Sequence, residues 1–407
     1  MQQREVVVIG AGPSGSIASA LLRRRGRDVL VLERQRFPRF SIGESLLAHC
    51  LDFVEEAGMM PAVEAAGFQY KNGAAFSRGD RYGDFDFKEK STPGRNSTYQ
   101  VQRAAFDKLL ADEAERQGVE IRYESEILAI DTDSGRPVLT AREPGGALVQ
   151  IGAEFVLDAS GFGRTLPRLL GLEIPSAFPV RHAVFTHIAD GIPDGAFDRD
   201  KIRVVIHPRH RDVWYWLIPF AAGRASIGVV ARKEFFADYP QSPDERLRRL
   251  VGEDPGLAGL LANAVWDTQA RELGGYSANV RAMHGPGFAL LGNAAEFLDP
   301  VFSSGVTIAM RSASVAAAVL DRQLSGEAVD WEGEFAIPLK RGVDAFRAYV
   351  TAWYDGRFQD VIFSENQSAP VRRMICSVLA GYAWDESNPF VVEPERRLDT
   401  LSRLCAA

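Results

Sequence analysis

Cysteine is scarce and scattered. The 407 residues contain three, Cys50, Cys376 and Cys405, with no C-x-x-C pair. That spacing excludes a disulfide scaffold and a cysteine-built zinc site, and it fits a reducing cytoplasm. Long apolar runs are missing too. Stretches such as Val6 to Ile9 and Val315 to Leu320 fall far short of the ~18 residues a membrane span needs, so the expectation is a soluble cytoplasmic protein with no membrane partner and no targeting segment. Positive charge is not in surplus: a net charge of -7 leaves no basic face to neutralise phosphates, which argues against nucleic acid as a partner. The six histidines form neither H-x-H nor HExxH, so no metal site is expected. No G-x-S-x-G marks a serine nucleophile. Internal repeats and low-complexity tracts are absent, and the Asn96-Ser97-Thr98 acceptor pattern reads as a chance turn in a chain without a secretion signal.

What is present is an ordinary core-forming composition, 46% apolar and 25% charged, in a chain too long for one hydrophobic core. Residues 5 to 33 read as strand, tight turn, helix, strand, a βαβ unit. AAFDKLLADEAERQG carries apolar residues at helical spacing, and VEIRY after it alternates like a strand. Between 68 and 101, and from about 179 to 232, short alternating runs (HAVFTHIA, IRVVIH, VWYWLIP, ASIGVV) predict one sheet assembled from separated segments. GFALLG, from 287, returns to a buried strand, followed by a loop and a small-residue helix through 304 to 321. After about 326 the pattern is helical, with Phe346, Tyr349, Val350, Trp353 and Tyr354 on one face. The predicted fold class is α/β, with α+β character. Residues 1–67, 98–178 and 285–325 form a discontinuous Rossmann-type lobe, 68–97 and 179–284 an inserted antiparallel sheet, and 326–407 a helical region.

The strongest motif is Gly10-Ala11-Gly12-Pro13-Ser14-Gly15, which follows a strand, opens a helix and is answered by Glu33 at the end of the next strand. Its glycines allow a diphosphate to approach the helix N-terminus closely, and the Glu33 carboxylate can accept hydrogen bonds from a ribose diol. Only one such fingerprint occurs, so a second Rossmann domain for NAD(P)H is not expected.

Further segments carry a family resemblance over nearly the whole chain. RFPRFSIGESLL with Gly43-Glu44-Ser45, the run Tyr99-Gln-Val-Gln-Arg103-Ala-Ala-Phe106-Asp107, Asp158-Ala159-Ser160-Gly161 and Leu291-Gly292-Asn293-Ala294-Ala295 resemble flavin-dependent halogenases, a branch of the FAD-dependent monooxygenase-like superfamily. Trp214-Tyr215-Trp216-Leu217-Ile218-Pro219 matches that family's W-x-W-x-I-P, and Phe297 to Gly305 its F-x-x-P-x-x-S-x-G. The resemblance implies FAD held by Gly10, Gly12, Ser14, Gly15, Glu33, Arg34, Ser41, Gly43, Glu44, Arg103, Asp158, Gly161, Asn293, Pro300, Gly305 and Val306. Asn293 departs from the family's usual aspartate, losing a charge where the ribityl chain is bound and predicting weaker FAD affinity.

On a strand, Trp214, Trp216 and Ile218 face one way. They form either a bulky wall keeping organic substrate from the flavin or simply a sheet core. Ser303, Ser304 and Gly305 lie at a helix N-terminus suited to a halide, although in ordinary flavoproteins the same segment only positions the isoalloxazine. Lys71, in GFQYKNGAAF, resembles the family's catalytic lysine; without the neighbouring motifs it reads as a strand-end surface lysine. An ammonium there would polarise hypohalous acid, and a neutral amine would form a haloamine.

Phe302 occupies the place where tryptophan halogenases carry a glutamate, which points to the pyrrole and phenol branch and to a ring that sheds its proton readily. The helical-tail aromatics, including Tyr349, Trp353, Tyr354, Phe358 and Phe363, are core or the lining of an acceptor pocket. The implied activity is halogenation of an electron-rich aromatic, free or carrier-bound, in secondary metabolism. It would use reduced FAD from a separate flavin reductase, O2 and chloride or bromide. Its rivals are an aromatic hydroxylase, a geranylgeranyl-type reductase and a catalytically silent FAD-binding module.

Overall fold

A computed structural model describes residues 1–365 and 368–406. Among these, the chain builds two large sheets. The first runs, in spatial order, His284–Gly285, Phe288–Leu290, Leu148–Asp158, Gln2–Ile9, Val29–Leu32 and Glu120–Arg122, with Glu126–Asp131 and Val138–Arg142 added through Leu148–Asp158. The pairings of Gln2–Ile9 with its two neighbours, of Val29–Leu32 with Glu120–Arg122, and of Leu148–Asp158 with Phe288–Leu290 are all parallel. Parallel strands are covered on both faces, which is why Val29–Leu32 is an unbroken apolar run, buried throughout. Helix Pro13–Arg24 begins with proline at its first turn and ends with Arg23 and Arg24, both favourable placements. It lies against the long helix Ser304–Leu324, where Ala313, Ala316 and Ala317 share a core with Ile17, Ala18 and Leu21. Small side chains let these helices approach closely.

The second sheet is ordered Arg271–Gly274, Arg181–Ala189, Arg224–Arg232, Trp214–Phe220, Lys201–Ile206, Gly73–Arg78 and Arg81–Asp86. It draws on two widely separated stretches of chain, as an inserted sheet must. It departs from the antiparallel expectation at one junction: Gly73–Arg78 runs parallel to Lys201–Ile206, because the strands arrive from different segments rather than from a hairpin. Trp214–Phe220 is buried at every position. Its alternate residues feed two cores: Trp214, Trp216 and Ile218 pack with the helical tail, and Tyr215 and Leu217 pack against helix Pro243–Gly252. Helix Ile337–Tyr354 buries Phe346, Tyr349, Val350 and Trp353, the face its periodicity predicts. The α/β class, the inserted sheet and the helical C-terminal region all agree with the sequence. No helix among the described residues is long and apolar enough to cross a membrane, and no cluster of potential metal ligands occurs among them.

Candidate functional site

A cavity of about 460 Å³ opens where the parallel strands end, bordered by Ile9, Gly10, Leu32, Glu33 and Ala159, the location that open α/β sheets reserve for ligands. Its floor is made of backbone. Gly10 has φ +97°, and a Cβ there would lie 2.8 Å from the Ala159 carbonyl oxygen. At Gly15 a Cβ would fall 1.9 Å from the Gly10 oxygen. Gly10, Gly12 and Ser14 line the cavity, whereas Gly15 lies behind it and permits the tight turn. Glu33, 6% exposed, accepts the Ala11 N–H at 2.9 Å and the Gln35 N–H at 2.8 Å. It therefore anchors the glycine turn while keeping lone pairs for a ribose diol.

Of the other residues expected to hold FAD, Arg34, Ser41, Gly43, Glu44, Arg103, Gly161, Asn293, Pro300, Gly305 and Val306 border the cavity. Asp158 does not: its carboxylate accepts from the Ser160 and Leu166 backbone at 2.9 and 2.7 Å, shaping the following loop. Arg103 forks onto Asp107 at 2.7 and 3.0 Å and donates to the Ile42 carbonyl at 2.5 Å, so it fixes the loop carrying Gly43. Asn293 Oδ1 is buried without a hydrogen-bond partner. An orphaned acceptor facing a cavity of this shape calls for a donor, and a ribityl hydroxyl supplies one. The residues present fit FAD.

Among the cavity residues that escaped the sequence reading are Arg39, Phe40 and Phe162. Arg39 bonds Asp107 at 3.0 Å; Phe40 stacks on Phe185 with centroids 5.8 Å apart; and Phe162 meets Phe297 edge-on at 5.2 Å. Arg39 and Phe40 lie inside the RFPRFSIGES stretch, where their aromatic and basic character was the available signal. His187, which bonds Glu44 at 2.6 Å, gave no signal because its partner is 143 residues away.

Trp214, Trp216 and Ile218 all border the cavity. The Trp214 indole N–H donates to Tyr354 Oη at 2.9 Å and that of Trp216 to Ser226 Oγ at 3.0 Å, so both rings are held in place. Ser303 adopts a left-handed conformation, φ 57°, at the start of helix Ser304–Leu324. This non-glycine strain is of a kind that clusters at functional sites. Ser303 and Gly305 reach the cavity; Ser304, 2% exposed, does not. The first N–H groups of that helix have no intrahelical acceptor, and they lie at its positive end.

Lys71 is not at the surface. It is 0% exposed, its Nζ donates to the Leu46 carbonyl at 2.7 Å, and it lies 5.5 Å from the Phe87 ring centroid. No carboxylate pairs with it among the described residues. Burial lowers its pKa to about 7, with only a weak opposing effect from Cys50, so near neutral pH the amine and the ammonium are both populated. Lys71 borders a separate, small pocket of about 10 Å³ with Leu47, Phe76, Val301, Phe302 and Leu379, room for roughly one water. Ile202 and Ser303 border both this pocket and the flavin-sized cavity, so a thin partition divides them.

A dinucleotide-sized cavity at the ends of parallel strands, faced by a second sheet, is the arrangement of an FAD-binding protein. Comparison with known proteins places it further. Residues 3–332 match the FAD binding domain family. The chain is 33% identical to a tryptophan 2-halogenase from Chondromyces crocatus over 79% of its own length, spanning 62% of that longer protein. It is 29% identical to the 1H-pyrrole-2-carbonyl-[peptidyl-carrier protein] chlorinase of Pseudomonas fluorescens, over 86% of this chain and 83% of that one. A crystal structure described as a flavoprotein/dehydrogenase from Cytophaga hutchinsonii superposes with a TM-score of 0.96 at 43% identity, covering 100% of this chain and 99% of the other. The chain belongs to the FAD-binding-domain family, among the relatives that include the flavin-dependent halogenases.

Proposed function

We propose that this protein is an FAD-dependent halogenase acting on an electron-rich aromatic ring, a pyrrole or a phenol. The observation that carries the reading is Lys71: a buried, carboxylate-free lysine divided from the flavin cavity only by Ile202 and Ser303. FAD would be held by the glycine turn, Glu33, Arg103 and Asn293. When bound and reduced, it supplies the electrons that convert O2 and chloride or bromide into hypohalous acid and water.

The chain's own residues do the rest. Ser303 and Gly305, at the positive helix end, favour the halide. Trp214 and Trp216 keep bulky organic molecules from the cavity while a triatomic acid passes the partition. Lys71 as ammonium hydrogen-bonds the hypohalous oxygen and polarises it; the ring carbon gains the halogen, and its proton leaves with the released hydroxide as water. The neutral amine offers a second course, exchanging one N–H for N–halogen with loss of water before passing the halogen on. Phe302 stands where a general-base carboxylate would be, which suits rings that lose the proton readily. Because the lysine pocket holds about one water, the ring reaches Lys71 only when neighbours such as Phe302 move aside. The relatives named for a carrier-tethered pyrrole support a tethered substrate here, and a separate cytoplasmic flavin reductase would supply the reduced cofactor.

Incubating the protein with a flavin reductase, NADH, chloride or bromide and a panel of free and carrier-bound pyrroles and phenols tests this. Halogenated product is expected; hydroxylated product without halogen would overturn the reading. A second reading, a dehydrogenase that needs neither O2 nor halide, is favoured by the description of the 43%-identical relative. Substrate oxidation under anaerobic, halide-free conditions would establish it instead.

A further inference from the structure

Against the Trp214 indole, three buried polar side chains, Arg181, Tyr276 and Asp299, meet the part-buried Tyr354. Arg181, 2% exposed, places its guanidinium 3.3 Å above the centre of the Tyr354 ring. Tyr354 Oη donates to Asp299 Oδ2 at 2.9 Å and accepts from the Trp214 indole at 2.9 Å. The Gly275 N–H donates to the Arg181 carbonyl at 3.0 Å, which sets Tyr276 beside Arg181. The antiparallel pairing of Ala278 with Phe297 brings Tyr276 opposite Asp299, and electrostatic coupling of the Tyr276 hydroxyl to both Asp299 and Arg181 agrees with that proximity.

The hydrogen bonding of this cluster does not close. Asp299 is served: Tyr354 holds one oxygen and the Val301 N–H, at 3.1 Å, the other. Two donors are not served, because Arg181 Nε and Tyr276 Oη are both buried without a hydrogen-bond partner. Arg181 also forms no ion pair within 4.0 Å among the described residues, whereas a buried guanidinium ordinarily has an acceptor. An apolar ligand would leave both donors unmet, and a cation would be repelled by Arg181. The missing group is a compact acceptor.

We infer that Arg181 and Tyr276 form a buried binding site for a halide-class monovalent anion, separate from the helix end at Ser303 to Gly305. Arg181 supplies the charge and an N–H, and Tyr276 an O–H. Asp299 sets the occupancy. The groups facing it are Arg181, Tyr276 and Tyr354, and burial raises its pKa to about 6 despite Arg181. Above that pH its negative charge competes with an anion for Arg181; below it the guanidinium is left uncompensated and the anion binds more tightly. The site does not depend on the halogenase reading, since occupancy is read without turnover.

The test is anomalous diffraction from crystals of the FAD-loaded protein soaked in sodium bromide at pH 5.5 and pH 7.5, with bromide thermal-shift titrations at constant ionic strength. An anomalous peak within hydrogen-bond distance of Arg181 Nε and Tyr276 Oη, stronger at pH 5.5, is expected. Arg181→Gln should weaken the bromide midpoint at least tenfold, and Asp299→Asn should tighten it at pH 7.5 severalfold, so one variant remains informative if the other misfolds. Water alone at Arg181 at both pH values, or a bromide peak confined to Ser303 and Gly305, would overturn the inference. Failure to halogenate any substrate with the Arg181 peak present would overturn the proposed function and leave this site standing.

Discussion

The flavin-sized cavity and the lysine pocket share Ile202 and Ser303 as a wall, yet they are built by opposite means. The first, about 460 Å³, is shaped by backbone: Gly10 and Gly15, where a Cβ would strike backbone, helix ends, and carboxylates that hold turns. The second, about 10 Å³, is a gap left among large side chains brought from distant parts of the chain. A backbone-built site announces itself in short motifs, because each glycine is fixed by a local steric requirement. A packing-built pocket leaves only single residues whose meaning depends on what folds around them.

The largest expected effect breaks the lysine pocket chemically. Lys71→Met should reduce halogenated product by about 100-fold or more while FAD retention, read from the flavin absorbance after gel filtration, stays as in the parent. Loss of both together would mean that the two sites are one structural unit. The next breaks the pocket physically. Phe302 packs edge-on against Tyr349, Trp353 and Phe358, so Phe302→Ala should cost about 3–5 kcal/mol in denaturant unfolding while widening the space beside Lys71. A cost under about 1 kcal/mol would show that the aromatic cluster collapses around the gap.

A smaller effect follows from the lysine's protonation. Its folded pKa, about 7, lies below the ordinary lysine value of 10.5, so from about pH 7 to 10.5 the unfolded chain holds a proton that the folded one does not. Stability from this group is therefore lost as pH falls through 7 and fully present above 10.5. Lys71→Met should raise the melting temperature at pH 7, with the gain shrinking steadily as pH rises toward 10.5. A gain independent of pH would show that Lys71 is not neutralised by burial. The smallest effect lies in the flavin cavity: Asn293→Asp should tighten FAD binding several-fold, on the order of 1 kcal/mol for a charge-assisted hydrogen bond, measured by flavin fluorescence titration.

Much of the backbone-built site could be read from the chain. The turn from Gly10 to Gly15 with Glu33, the strand end at Asp158 and the segment at Asn293 all lie around the flavin-sized cavity. Details differ where a side chain had two possible duties. Asp158 and Gly15 shape the turns rather than face the cavity, and Ser304 is buried beneath its neighbours. Motifs locate a loop but not which of its atoms points inward, since that depends on one or two dihedral angles. The pairing of His187 with Glu44 and the meeting of Arg181 with Tyr276 and Asp299 left no trace in the sequence, because each joins segments about a hundred residues or more apart.

By itself the sequence determined the α/β class, the dinucleotide turn and the period-of-two face carrying Trp214, Trp216 and Ile218. Those follow from local sterics and strand periodicity, which need no knowledge of distant contacts. Tertiary structure alone decided that Lys71 is fully buried rather than a surface lysine, that its pocket shares a wall with the flavin-sized cavity, and that a second polar cluster lies against Trp214. These depend on desolvation, and how much water a side chain loses is set by the segments that fold over it.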